Sequence, residues 1–324
     1  MRAEELSALR GYFKRHDRQR SYDLLHSQRV LTLGWSVDGK RLATGGADRK
    51  VAVAVLDNNK LKSEFSGTGH QSDVTSVAWH HSDPSLLASG GADKSVRIWD
   101  LRQRKGTCNV TLKNEAVHVQ WSVCGKYAVC VDRDDRAVLI DWKSHKLVQQ
   151  HPLPKDSGEF RFDKSGKFMV VASSQGRVFV YEFPAMKQVS VMQCSPQASL
   201  CNCLTIDQSG RWMAVGGNDA VVTIWDLAHM ACLRTVDRLD NPLECVSFSH
   251  DGKLLAASSD ECFIDVSHTA TAERVCDVRV DQGCVQCLAW HPSQYLLAYA
   301  ATSVNHRDRD DGMVKLYGLP SSEM

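Results

Sequence analysis

The sequence has almost no excess of either charge, with 39 lysines and arginines against 38 aspartates and glutamates and a formal net charge of +1. Without a global basic field, the chain lacks the main driving force for sequence-independent binding to nucleic acid. No segment approaches the roughly 18 consecutive apolar residues of a membrane-spanning helix, and the first thirty residues contain no apolar run of signal-peptide length. We therefore expect any RNA contact to be weak or indirect, and no contact with a membrane.

Motifs of catalysis are also lacking. The chain contains no G-x-S-x-G elbow, no Walker-type phosphate loop and no H-E-x-x-H helix. Carboxylate pairs such as Asp134 and Asp135 fall in turn-like segments, where acidic side chains accept hydrogen bonds from backbone amides. We expect a protein that is not an enzyme and that uses no cofactor.

The twelve cysteines do not form the pattern of a metal site. Without a signal peptide they are expected to be reduced thiols, most of them acting as small apolar side chains within strands. The one C-x-x-C, from Cys284 to Cys287, lies in a β-like run, where side chains three residues apart point to opposite faces of the strand. No metal is predicted there.

What the sequence does contain is a repeat. A strand-like run closes on an aromatic or apolar residue every 41 to 44 residues. The seven closing residues are Trp35, Trp79, Trp121, Phe162, Ile206, Phe248 and Trp290. A turn with glycine or proline usually follows, and then a second β-rich run, a polar turn and a third run. A period of this length indicates that one supersecondary unit is repeated seven times.

The stretch LLASGGADKSVRIWD, Leu86–Asp100, shows the unit most clearly, since it reads as strand, turn and strand and closes on Trp99-Asp100. A period of 40 to 45 residues with a Trp-Asp ending is typical of propeller blades. The chain resembles the WD40-repeat family. The resemblance implies an all-β fold, a seven-bladed WD40 β-propeller closed by an N-terminal strand and preceded by a short N-terminal extension.

The predicted organisation has three parts. Residues 1–19 form the extension, in which Leu6, Leu9 and Phe13 recur at helical spacing. Residues 20–319 form the propeller, and residues 320–324 a C-terminal tail. Blade seven lacks an outer strand of its own, so we predict that the run from Tyr22 to Leu25 supplies it.

In the WD40 family a buried tetrad of His, Ser or Thr, Asp and Trp holds a blade together. By this resemblance only the second repeat is complete, with His70, Ser89, Asp93 and Trp99. The first repeat has Ala54 and the sixth has Ser267 in the position of the tryptophan. We expect incomplete blades to be held by apolar packing. His80, His81, His250 and His291 follow first strands, and the resemblance implies that they are exposed turn residues.

The order of the degenerate repeats is more specific than any one of them. The sixth repeat ends on Ile264-Asp265 and the seventh on VKLYGLP, which is similar to the WD-repeat subunits of the THO complex. That resemblance implies a non-catalytic scaffold in the nucleus, within the THO/TREX assembly that couples transcription to mRNA packaging and export. The implied partners are large helical THO subunits and, indirectly, the export helicase and adaptors.

Two segments are candidates for partner binding. The extension presents an aromatic and basic cluster with Tyr12, Phe13 and Arg15, and the insertion in blade seven carries His306 and Arg307. The extension can equally be a frayed tail or a helix packed on the ring itself. Two alternative functions stay open: a WD-repeat adaptor of a ubiquitin ligase or chromatin complex, and a direct RNA binder with steeply salt-dependent affinity.

Overall fold

The computed structural model describes residues 2–23, 26–195, 199–280, 283–302 and 312–320. It consists of one helix and seven four-stranded antiparallel sheets. Helix α1 spans Arg2–Arg15 and is followed by strand β1, Arg18–Asp23. Within the described residues, no helix is long and apolar enough to span a membrane.

The first three blades use twelve strands, with the following bounds. They are β2 (Val30–Trp35), β3 (Arg41–Gly46), β4 (Lys50–Asp57) and β5 (Lys60–Thr68) in blade one; β6 (Val74–Trp79), β7 (Leu86–Gly91), β8 (Ser95–Asp100) and β9 (Lys105–Thr111) in blade two; and β10 (Ala116–Trp121), β11 (Tyr127–Asp132), β12 (Arg136–Asp141) and β13 (Lys146–Pro152) in blade three.

The remaining four blades continue in the same order. Their strands are β14 (Phe160–Phe162), β15 (Phe168–Ala172), β16 (Arg177–Glu182) and β17 (Lys187–Gln193) in blade four; β18 (Cys201–Ile206), β19 (Trp212–Gly217), β20 (Val222–Asp226) and β21 (Ala231–Val236) in blade five; β22 (Leu243–Phe248), β23 (Leu254–Ser259), β24 (Phe263–His268) and β25 (Arg274–Arg279) in blade six; and β26 (Cys284–Trp290), β27 (Leu297–Thr302) and β28 (Met313–Leu319), with β1, in blade seven.

The predicted repeat is confirmed. All seven residues predicted to close a strand are the last residues of the first strands of the seven blades. The second strands are buried along almost their whole length, as in β7, whereas outer strands such as β21 are largely exposed. A strand that is covered on both faces consists almost entirely of small and apolar residues. The middle strands could therefore be recognised in the sequence as short apolar runs.

The indoles that end the first strands of blades two and three join each of these blades to the one before it. The Nε1–H of Trp79 donates to the carbonyl of Gly34 at 2.8 Å, and that of Trp121 donates to the carbonyl of Ala78 at 3.1 Å. Each indole therefore buries its ring and satisfies its one polar atom on the preceding blade.

His81 is exposed, as expected, and His250 is half-buried, but His80 and His291 are buried, so the expectation was wrong for these two. Each imidazole bonds through Nε2 to the carbonyl of a turn glycine on the next blade, His80 to Gly125 at 3.1 Å and His291 to Gly39 at 2.8 Å. Both glycines have a φ of +69°, and a Cβ there would lie within about 2.6 Å of the imidazole. These contacts need glycine for its conformation and for its size.

Strand β1 closes the ring, as predicted. It pairs antiparallel with β28, from Arg18 opposite Leu319 to Asp23 opposite Met313. The strand lies earlier in the chain than the predicted run, and Leu24 and Leu25 are outside the described residues. The hydroxyl of Tyr22 also donates to the carbonyl of Asn59 in blade one at 2.9 Å, so β1 connects blades seven and one.

Candidate functional site

The N-terminal extension is a helix packed on the ring. Leu6, Leu9 and Phe13 are buried in one apolar cluster with residues of blades six and seven. Glu4 and Glu5 lie in the first turn of α1 and Lys14 and Arg15 in the last, where each charge complements the helix dipole.

Polar contacts fix the helix against blade six. The Glu5 carboxylate lies 2.8 Å from Nζ of Lys253, and Nη2 of Arg10 donates to the carbonyl of Arg274 at 2.7 Å. Nη2 of Arg10 also lies 3.6 Å from the Glu273 carboxylate. The helix is therefore held by ion pairs at its edges and by apolar side chains beneath.

Phe13 occupies the centre of this contact. Its ring is only 2% exposed and lies 5.9 Å from Tyr317, in a parallel stack, and 6.2 Å from Trp290. The prediction that Phe13 contacts a partner is therefore corrected, because its ring is committed to the chain's own core. Tyr12 is half-buried and stacks on His16 at 4.0 Å, and Arg15 is exposed.

The second predicted segment, with His306 and Arg307, lies outside the described residues. The strands on either side of it, β27 and β28, are the second and third strands of blade seven. The insertion therefore connects these two strands, which is the place inferred from the repeat.

In blade two the four tetrad residues form one chain of hydrogen bonds. Trp99 Nε1–H donates to Ser89 Oγ at 2.8 Å, Ser89 Oγ lies 2.8 Å from His70 Nε2, and His70 Nδ1 lies 3.0 Å from the Asp93 carboxylate. Because the serine oxygen accepts from the indole, its own proton goes to Nε2, and Nδ1–H donates to Asp93. Burial lowers the pKa of His70, more than the Asp93 carboxylate raises it, so the imidazole is neutral at neutral pH.

Replacing Asp93 is expected to destabilise the fold more than the same change at another corner. Asp93 also accepts from the backbone amides of Gln71 and Ser95, so Asp93→Ala leaves several donors without a partner and costs about 2–4 kcal/mol. The Asp219 carboxylate of blade five accepts a long 3.4 Å bond from the amide of Val221, and Asp219→Ala is the matched control at about 1 kcal/mol or less. The measurement is urea unfolding, and equal shifts of the two midpoints would contradict the role given to Asp93.

Blade one keeps three members of the network. His26 Nε2 lies 2.8 Å from Thr44 Oγ1 and its Nδ1 lies 2.9 Å from Asp48 Oδ1, while Ala54 is fully buried. The apolar packing expected for this blade therefore coexists with a polar corner.

Blade six was expected to rely on apolar packing, and this was wrong. Arg238 clamps the buried carboxylate of Asp265 with two bonds, from Nε at 2.9 Å and from Nη2 at 2.8 Å. Arg274 adds a third bond at 3.0 Å, and Ser267, in the tryptophan position, donates its hydroxyl to Asp265 and accepts from Arg238. We call these four residues the blade-six ion cluster.

Like the tetrad, the ion cluster links a residue that precedes the first strand of its blade to residues on a later strand, but it does so through ion pairs. Arg238 lies five residues before the start of β22, and His70 lies four residues before the start of β6. Burial raises the pKa of Asp265, but hydrogen bonds from Arg238 and Ser267 outweigh it, and the pKa is lowered overall. In the sequence, this cluster could have been recognised from Arg238, which stands where the tetrad has its histidine, and from Asp265, which lies two residues before Ser267.

The first strands of the seven blades line a central channel of about 690 Å³. Arg161 spans part of it, with Nη1 donating to His118 Nε2 at 2.8 Å and Nη2 donating to Glu159 at 2.5 Å. Glu159 also accepts from the amide of Leu204 at 2.6 Å. The guanidinium charge is thus balanced by a carboxylate, and the group joins blades three, four and five.

Burial lowers the pKa of His118 strongly and the Arg161 charge lowers it further, so its imidazole acts as a neutral acceptor. In the part of the chain that the structure describes, no three His, Cys, Asp or Glu side chains are placed to hold a metal. All twelve cysteines are free thiols.

A family model for the WD domain, G-beta repeat (WD40) matches four stretches of the chain, residues 20–53, 60–100, 186–226 and 230–264. The chain is 29% identical over 301 residues to THO complex subunit 3 of Arabidopsis thaliana, an alignment that covers 92% of this chain and 94% of that protein. It is 27% identical over 319 residues to WD repeat-containing protein AAC3 of Dictyostelium discoideum, covering 91% of this chain and 66% of that protein.

Among solved structures, the β-propeller domain of Cps50 (Swd1) from Myceliophteria thermophila superposes with a TM-score of 0.81. The superposition covers 93% of this chain and 100% of that domain, at 16% sequence identity. At this identity the likeness establishes the fold alone.

Proposed function

We propose that this chain, a seven-bladed propeller that carries WD40 repeats, is a scaffold subunit of a nuclear THO/TREX-type complex. In this role it couples transcription to mRNA packaging and export through contacts with other proteins. WD40 propellers are typically non-enzymatic scaffolds, and the polar networks described above serve the fold.

One observation carries the proposal. The identity with THO complex subunit 3 extends over nearly the whole of both proteins, 92% and 94%. AAC3 aligns over a similar share of this chain, 91%, but over only 66% of its own length, so the two chains differ in extent. Similarity over the full length supports a shared arrangement of blades and loops, which is what a partner binds.

The proposed partners are the large helical THO subunits, with the export helicase and adaptors reached indirectly and RNA contacted weakly or through them. Affinity in such interfaces comes from a few aromatic and arginine anchors. Tyr12 and Arg15 remain candidates on the helix, and His306 and Arg307 remain candidates in the insertion. Phe13 is withdrawn because it is buried.

The test is copurification of the tagged full chain from nuclear extract, with and without nuclease, read by mass spectrometry. We expect THO subunits in near-stoichiometric amounts that resist nuclease. A Tyr12→Ala, Arg15→Glu double variant should lower their recovery, whereas Lys62→Glu on the exposed outer strand of blade one is the control for a charge change elsewhere.

Other outcomes would replace the proposal. Recovery of ubiquitin-ligase or chromatin subunits in place of THO subunits would show an adaptor of another assembly. Partners lost on nuclease treatment, with purified chain binding single-stranded RNA in a steeply salt-dependent way, would show a direct RNA binder. The net charge of +1 favours protein contacts.

A further inference from the structure

An apolar groove runs between blades four and five. Its volume is about 600 Å³, and no segment of the described chain fills it. We call it the 4/5 groove, and its apolar lining includes Phe168, Val170, Val180, Met192, Met213 and Leu227.

The 4/5 groove is built from the same positions as the groove that α1 covers between blades six and seven, here called the 6/7 groove. Phe168 and Leu254 each stand two residues after a turn glycine, Gly166 and Gly252, with nearly equal φ of +71° and +69°. The strand registers then match residue for residue. The equivalent pairs are Val170 and Ala256, Val180 and Val266, Met192 and Val278, and Met213 and Leu297.

Burial separates the two grooves. Leu254 is fully buried, whereas its counterpart Phe168 is 38% exposed. Val275 and Val189 are the bulged residues of the equivalent outer strands, and they are 8% and 50% exposed. A helix already covers one copy of this site, whereas in the other copy Phe168 and Val189 are in contact with water above the buried Val170, Met192 and Met213.

From this repetition we infer that the 4/5 groove docks an amphipathic helix of a partner protein, and that this helix is acidic along its edges. Its apolar face follows the spacing of Leu6, Leu9 and Phe13, at i, i+3 and i+7. The inference deepens the proposed scaffold role and rests on it, but it does not depend on which assembly the partner belongs to.

The charges around the groove define the partner's edges. Lys253, which pairs with Glu5 of α1, stands one residue after its turn glycine, and Lys167 occupies the same position beside the 4/5 groove. Glu273, which faces Arg10, is replaced at the equivalent position by Lys187. Lys167 and Lys187 therefore favour a carboxylate on each edge of the 4/5 groove, while Glu182 takes the place of His268, which lies 3.9 Å from Glu5 in the 6/7 groove.

The same charges argue against the α1 helix of a second copy. In the 4/5 groove its Arg10 would face Lys187 instead of Glu273. Opposite charges at rim positions favour one partner, and like charges exclude another. The occupant is therefore a different helix with carboxylates on both sides of its apolar face.

The probe is a synthetic peptide of residues 2–15 that carries Arg10→Glu, Lys14→Glu and Gly11→Ala, the last to favour the helix. The control peptide carries Gly11→Ala alone, so the two differ only in charge. Binding of each to the purified full chain is measured by fluorescence anisotropy. Because isolated helices of this length are marginal in water, the comparison between peptides matters more than the absolute affinity.

Three protein variants locate the binding. Phe168→Glu is expected to weaken the acidic peptide at least about tenfold, since it places a charge at the centre of the apolar contact. Leu147→Glu, on the outer strand of blade three and equally exposed at 38%, should change nothing. The pair Lys167→Glu and Lys187→Glu should weaken the acidic peptide and strengthen the control peptide, each by about threefold to tenfold.

The inference is overturned if the acidic peptide does not bind, if Phe168→Glu leaves its binding unchanged, or if the control peptide binds the unaltered chain equally well. Circular dichroism of each variant shows that a loss of binding is not a loss of fold. Copurification of THO subunits does not enter this measurement, so failure of the groove and failure of the proposed assembly give different results.

Discussion

Removal of residues 1–23 is expected to abolish the cooperative unfolding transition of the propeller. The deletion takes away β1, which is the outer strand of blade seven and the only described segment that pairs with the free edge of β28. It also uncovers Trp290 and Tyr317, which Phe13 covers. We expect a loss of more than about 5 kcal/mol, comparable with the whole stability of a typical domain, and an exposed strand edge that favours aggregation.

A shorter deletion separates the two contributions. Removing residues 1–16 takes away α1 but leaves β1, so the ring stays closed and a single transition at a lower midpoint is expected. Both variants are compared with the full chain by calorimetry and size-exclusion chromatography. A deletion of 1–23 that melts within a few degrees of the full chain would mean that another segment closes the ring.

Replacing Asp265 with alanine is also expected to destabilise the fold strongly. The change leaves Arg238 and Arg274 facing each other over a buried site, and breaking a buried ion pair typically costs about 3–5 kcal/mol. The two arginine side chains are 26% and 41% exposed and keep some hydration, so we expect about 3 kcal/mol. Asp277→Ala, at the exposed position directly opposite Asp265 on β25, is the matched control and should be nearly neutral.

The buried ion pair predicts two further results: a non-additive double-mutant cycle and a pH-dependent contribution of Asp265 to stability. The double variant Arg238→Ala, Asp265→Ala should lose less stability than the sum of the single variants, because the second change removes a charge that the first left unpaired. Since the pKa of Asp265 is lowered in the folded state, its contribution is complete above the unfolded value of about 3.9 and is lost as the pH falls through the folded value. The difference in free energy of unfolding between the full chain and Asp265→Ala should therefore become smaller in acid. An unchanged difference would show that the carboxylate charge is not what stabilises blade six.

Much of the fold could be predicted from the sequence because each blade is formed by residues that are close to one another in the chain. Each blade repeats one pattern of short strands and turns within 41 to 44 residues, so the closing residues from Trp35 to Trp290 could be placed without a structure. The blade-two tetrad could be predicted for the same reason, since its four members all lie within thirty residues: His70, Ser89, Asp93 and Trp99. The need for an additional strand in blade seven followed from counting.

Contacts between distant segments were decided only by the tertiary structure. The spacing of Leu6, Leu9 and Phe13 predicts an amphipathic helix, but it does not say whether the apolar face meets a partner or the chain's own blades almost 300 residues away. The ion cluster depends on Arg238 reaching Asp265 across a blade, and the 4/5 groove on two blades leaving a seam that α1 fills elsewhere. A repeat pattern fixes each blade because its hydrogen bonds are local, whereas the choice of which seam is covered depends on packing between segments that are distant in sequence.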